Sequence, residues 1–130
     1  MIRQRILELV FIGTGGALGA ILRWVVGGWV QRLSGNHIFP LGTLAVNVVG
    51  CLAIGVLGGL SESRQSVSDG ARLFLIVGLL GGFTTYSTFG YETVRLLHSS
   101  AHGTAFLYVG IQMLAGFGAA WAGYAVAVAR

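Results

Sequence analysis

Lysine is absent from this 130-residue chain, and its formal charges come to eight arginines and four acids. Charged residues make up 9% of the sequence, against about a quarter in an ordinary soluble domain. That leaves too little polar surface to coat a globule of this size in water. Cysteine occurs once, and a single thiol forms no internal bridge, which excludes a disulfide-built secreted domain. Proline also occurs once, and hydrophobic residues reach 55%, which excludes a disordered chain and a Pro-rich linker. The pI near 10 comes from scattered arginines rather than a basic run, so nucleic acid is not the implied partner. What is abundant is apolar: the mean hydropathy is +0.80 and glycine occupies 22 positions. A small integral membrane protein remains.

A helix needs roughly 20 apolar residues to cross a hydrocarbon core of about 30 Å. Residues 41–60, 73–91 and 103–129 are free of charge. The first apolar run is interrupted by Arg23 and reads as a span over 6–33 that carries a charge. The expected fold is all-α, a single domain over 1–130 with spans 6–33, 41–60, 73–97 (broken near 81–85) and 103–128. The connections 34–40, 61–70 and 99–102 are short, which makes neighbouring helices antiparallel and puts both termini on one side. A cleaved signal peptide, with Arg3 and Arg5 as its basic region, is the competing reading of the N-terminus. An enzyme acting on a soluble substrate has nowhere in these spans and loops to put its site. Arg3, Arg5, Arg64, Arg72 and Arg130 on the terminal side, against Arg32 and Arg95 opposite, favour cytoplasmic termini. The bias is small enough to be tolerated in both orientations.

Glycines recur along all four spans and read first as close helix packing. Four short helices enclose little volume, however, so a chain of this size that moves a solute has to oligomerise. It contains no internal repeat, and pairing two copies head to tail gives the geometry that larger transporters obtain from inverted repeats.

Polar groups inside a bilayer are functional candidates. Arg23 reads as a snorkelling anchor beside Trp24 or as a fixed positive charge at a vestibule. Asn47, near the centre of its span with Thr43 one turn away, offers two N–H donors and reads as a helix–helix hydrogen bond or a pore-lining donor. The segment Gly81-Gly82-Phe83-Thr84-Thr85-Tyr86-Ser87-Thr88-Phe89-Gly90 is a poor helix, and a break is expected there. Backbone groups freed at membrane depth are tolerated where they are buried in protein or line an ion site, and free carbonyls suit a hard cation. Tyr86 and Phe89, three residues apart, share a helix face, with Ser87 and Thr88 between them. Thr104, Tyr108 and Gln112 form one stripe that either packs on another subunit or faces a channel. His37, His98 and His102 fall at loops or span ends, and Cys51 reads as a small hydrophobe. Glu8, Glu62, Asp69 and Glu92 are likewise placed at ends or loops. No metal-ligand spacing, nucleophile–base set or phosphate loop is present.

At these residues the chain resembles the small bacterial fluoride channels called Fluc, or CrcB. Residues 16–24 (Gly-Ala-Leu-Gly-Ala-Ile-Leu-Arg-Trp), 40–47 (Pro-Leu-Gly-Thr-Leu-Ala-Val-Asn) and 81–89 followed by Glu92 are similar to three family motifs in the family's order and spacing. The resemblance implies an antiparallel, dual-topology homodimer in the bacterial inner membrane, with two fluoride pores each lined by both chains. It implies that Asn47 donates to fluoride and that Tyr86 and Phe89 present ring edges to it. Ser87, Thr88, Thr43, Tyr108 and Gln112 complete the pore set, and Arg23 lies near a vestibule. A structural sodium ion on the two-fold axis, held by the backbone carbonyls of Gly81 and Thr84, is also implied. So is passive export: HF enters as a neutral acid, dissociates inside, and the trapped anion leaves. The family usually carries Phe where this chain has Tyr86. The alternative is a small multidrug-type, proton-coupled exporter, which needs a carboxylate in mid-membrane.

Overall fold

The computed structural model describes residues 1–64 and 67–129. Gln65, Ser66, Arg130 and the Arg64 side chain, which enter the 61–70 connection and the charge count above, lie outside the described residues. Among the described residues the chain is helical and has no strand. The elements are α1 (Ile2–Ser34), α2 (Leu41–Arg64), a composite third segment, and α6 (His102–Val128). The third segment runs through α3 (Asp69–Arg72), a π-helical stretch (Leu73–Leu80), α4 (Gly81–Phe83) and α5 (Tyr86–His98).

Among the described residues, four helical segments are long and apolar enough to cross a membrane: Ile2–Ser34, Leu41–Ser63, Asp69–His98 and His102–Val128. Even the shortest, with 23 residues, covers about 34 Å at 1.5 Å per residue. The helices outrun the apolar runs that announce them. The first begins at Ile2 rather than residue 6, the second continues past residue 60 to Arg64, and the third begins at Asp69 rather than residue 73. Once a helix is nucleated each further residue is cheap to add, so polar flanks are drawn in. Glu92 is placed differently from the sequence expectation: it lies inside α5, which continues to His98, and not at a span end.

Local chemistry sets the ends. Gly35 closes α1 in the left-handed conformation (φ 61°) and its N–H donates to Arg32 O at 3.3 Å, the conformation glycine adopts without a Cβ penalty. Ser68 caps the third segment by accepting from Ala71 N at 3.3 Å, and Thr85 caps α5 by accepting from Thr88 N at 3.2 Å.

The helices pack as two close pairs, α1 along the first half of the third segment and α2 along α6. Both pairs rest on glycines where backbone meets backbone. A Cβ on Gly78 would come within 2.9 Å of Ile12 O, and one on Gly19 or Gly82 would collide with Leu79 O or Gly16 O. Across α2–α6, a Cβ on Gly55 or Gly123 would strike Ala120 O or Leu52 O. The outer surface is apolar: Trp24 is 75% exposed and Leu114 78%. Lipid, not water, fits that surface. The enclosed core is small and gathers Phe89, Leu96, Ala105 and Tyr108 between α5 and α6, with Phe39 packed against it.

Candidate functional site

The site begins with an interruption of backbone hydrogen bonding. Thr84 (φ −83°, ψ 157°) and Thr85 (φ −150°, ψ 113°) are extended between α4 and α5. In a continuous helix Thr85 N–H would donate to Gly81 O, four residues back. It donates instead to Asn47 Oδ1 at 2.8 Å, and Asn47 Nδ2 donates to Thr85 O at 3.1 Å. The amide of Asn47 therefore pairs both backbone groups of one peptide-flanked residue, the satisfaction that buried backbone demands. Gly50, one turn along α2, makes room for this: a Cβ there would collide with the Thr84 methyl. Asn47 has two amide hydrogens, and the bond to Thr85 O uses one of them.

A second diversion follows. Thr88 N–H, whose helical acceptor would be Thr84 O, donates to Thr85 Oγ1. Thr85 Oγ1 in turn donates to Thr88 Oγ1 at 2.9 Å. The carbonyls of Gly81 and Thr84 have thus both lost the amide that a regular helix would supply. Thr84 Oγ1 and N both donate to Leu80 O, at 2.9 and 3.0 Å.

Beyond the interruption the aromatic residues separate. Tyr86 and Phe89 have ring centroids 5.8 Å apart, but Tyr86 is 81% exposed and Phe89 only 7%. Phe89 meets Tyr108 at 5.4 Å in an edge-on arrangement. Tyr108, expected in a stripe that packs on another subunit or faces a channel, has none of its surface exposed. It is fully enclosed within the chain, where its hydroxyl donates to Glu92 Oε2 at 2.7 Å. Thr43 Oγ1 donates to Glu92 Oε1 at 2.9 Å. One carboxylate thereby ties α2, α5 and α6 together. Sequence reasoning gave Glu92 no role because it was placed at a span end, yet a lone acid between Thr88 and Leu96 was a sufficient signal.

Two openings flank this arrangement. A cavity of 330 Å³ is lined by Asn47, Thr85, Tyr86, Phe89 and Gln112, among others. A cleft of 630 Å³ on the other side is lined by Arg23, Thr43, Thr88 and Glu92, with Thr85 again among its walls. Thr85, held by Asn47, is the partition between the two. Gln112 is 7% exposed, and its Oε1 is buried with no hydrogen-bond partner among the described residues. Ser87 is exposed on the first turn of α5, with its hydroxyl 3.4 Å from that of Thr85.

The family model described as CrcB-like protein, Camphor Resistance (CrcB), matches residues 10–124. The chain belongs to the CrcB family. A protein of Agrobacterium fabrum named fluoride-specific ion channel FluC is 42% identical over 120 residues, 92% of this chain and 95% of that one. One of the same name from Stutzerimonas stutzeri is 44% identical over 116 residues, 89% of this chain and 93% of that one. A third, from Nitratidesulfovibrio vulgaris, is 41% identical over 116 residues, covering 89% and 93%. None of these three names describes a drug exporter, and that alternative finds no support.

In this CrcB-family chain the sequence-selected residues thus divide into three groups. Asn47, Tyr86, Phe89 and Gln112 share the smaller cavity, together with Gly81 and Thr84. Arg23, Thr43 and Thr88 share the larger cleft. Tyr108 stands behind both as packing, and Ser87, exposed, lines neither. Among the described residues no group of three His, Cys, Asp or Glu side chains is placed to hold a metal.

Proposed function

We propose that this chain is a fluoride-selective channel through which cytoplasmic fluoride leaves passively. The observation that carries the reading is the Asn47–Thr85 partition, which stands between a cleft bearing Arg23 and a cavity walled by Phe89 and Gln112. Fluoride is small, hard and strongly hydrated, and only close donors replace its water. The second N–H of Asn47, the amide of Gln112 and the electropositive edge of Phe89 are such donors. Passage also requires that no site hold the ion too tightly, and neutral donors of this kind meet that condition. The reading is of transport rather than catalysis.

The working unit in this reading is an antiparallel homodimer of dual topology with two pores. A protomer with this little enclosed volume, an open 330 Å³ cavity and an 81% exposed Tyr86 at its rim supports completion by a second copy. A structural sodium ion fits the same reading. The extended backbone at Thr84 and Thr85 takes the helical amides away from the carbonyls of residues 81–84, those of Gly81 and Thr84 among them, and oxygen ligands suit a hard cation. Sodium would supply fixed positive charge there, while the chain orients the oxygens through the Asn47–Thr85 pairing. Replacing sodium by choline is expected to lower the thermal midpoint of the purified protein, as loss of any native-state ligand does; an unchanged midpoint removes sodium from the reading.

The deciding experiment is efflux from proteoliposomes followed with a fluoride electrode, with chloride as control. Fluoride release without chloride release is the expected result. Equal leakage of both ions, or none of either, overturns the proposal.

A further inference from the structure

The connection between α1 and α2 is held by one side chain. Gln31, in the last turn of α1, donates from Nε2 to Phe39 O at 3.2 Å and also to Asn36 O. Its Oε1 accepts from Gly42 N at 3.0 Å. Gly42 lies in the first turn of α2, where backbone N–H groups have no helical acceptor, so Gln31 caps the next helix through space. Asn36 reinforces the loop: its Oδ1 accepts from Ile38 N and Phe39 N, each at 2.9 Å. Every polar group on the Phe39 backbone is engaged, since Phe39 O also accepts from Leu41 N at 2.8 Å.

The Phe39 side chain then has little freedom. Its ring meets Tyr108 edge to face, centroids 5.4 Å apart and planes at 83°. Tyr108 passes the contact on in two directions: its ring to Phe89 at 5.4 Å, and its hydroxyl to Glu92. A continuous series of contacts thus leads from a polar loop to the aromatic wall of the cavity.

We propose that Gln31 is a positioning residue: by fixing Phe39 against Tyr108 it sets where Phe89 stands in the fluoride path. This rests on the fluoride-channel reading for its consequence in transport, but not for its effect on Tyr108. Aromatic pairs have preferred geometries, and displacement of a binding group by an ångström is enough to cost rate. Glutamine suits the task because one planar amide serves two carbonyls and one N–H at once.

The test compares Gln31→Met, Phe39→Ala and the double variant, with 3-fluorotyrosine placed at position 108. Gln31→Met keeps the length of the side chain and deletes all three hydrogen bonds. Fluoride efflux is expected to fall roughly ten-fold in each single variant and to fall little further in the double, because residues acting through one contact are not additive. The ¹⁹F resonance at position 108 is expected to move in the same direction in both single variants. Independent, multiplying losses, or an unmoved resonance in Gln31→Met, overturn the proposal. If Gln31→Met does not fold, Asn36→Ala, which removes the two bonds to Ile38 N and Phe39 N from an exposed loop, is expected to shift the same resonance, and an unmoved resonance there counts equally against it. Should the unsubstituted protein pass no fluoride, the fluoride reading fails while the resonance still reports on Gln31.

Discussion

Tyr108, with none of its surface exposed, donates its hydroxyl to Glu92 Oε2 at 2.7 Å, while Thr43 donates to the other oxygen. Both oxygens act as acceptors, a part that a carboxylate's two oxygens fill and an amide fills by half. Glu92→Gln turns an NH₂ group toward one of the two hydroxyls. The expected cost is about 1–3 kcal/mol, the price of an unsatisfied buried polar group, seen as a lowered thermal midpoint in detergent. A variant as stable as the parent shows that the hydroxyls find other acceptors.

Asn47→Asp keeps an oxygen for Thr85 N–H but loses the donor to Thr85 O and sets a negative charge beside the partition. Repulsion of an approaching anion by more than about 1.4 kcal/mol slows passage at least ten-fold. Fluoride efflux is the measurement, and unchanged efflux removes Asn47 from the path.

Phe89→Ile replaces an aromatic edge with a methyl surface and deletes the contact with Tyr108. The fold is expected to survive, because the lost pair is worth about 0.5–1.5 kcal/mol beyond its area. Efflux is expected to slow about ten-fold while helical content by circular dichroism is retained. Rates equal to those of the parent argue against ring-edge recognition.

Gly19→Val tests the α1 contact. Its Cβ would overlap Leu79 O, and backbone on both sides cannot yield as a side chain can, so loss of monodisperse protein on size exclusion is expected. Gly13→Ala is the control: nothing lies within 4 Å of a Cβ there, and a change within about 0.5 kcal/mol is expected. Equal tolerance of both contradicts the packing described.

The spans were legible because a bilayer demands long uncharged runs, and 41–60, 73–91 and 103–129 supply them. Asn47 and the Gly81–Phe89 segment were legible as wrong chemistry for their solvent. Their pairing was not, because the Asn47 amide and the Thr85 peptide meet only once α2 is laid against the third segment. The sequence stripe Thr104–Tyr108–Gln112 gave the periodicity of α6 but not its rotation, so the burial of Tyr108 against Phe39 and Phe89 could not be read. Gln31 gave no signal at all: a glutamine at a helix end is ordinary until the chain turns back and brings Gly42 N within reach.

Where two main chains touch without side chains between them, as at Gly19 on Leu79 and Gly55 on Ala120, there are no rotamers to absorb a displacement. Along those seams the spacing of each helix pair is set by main-chain contact, with no side-chain layer to repack. Discriminating ions whose radii differ by tenths of an ångström calls for a frame with tolerances of that order, and glycine seams of this kind are a means of providing one.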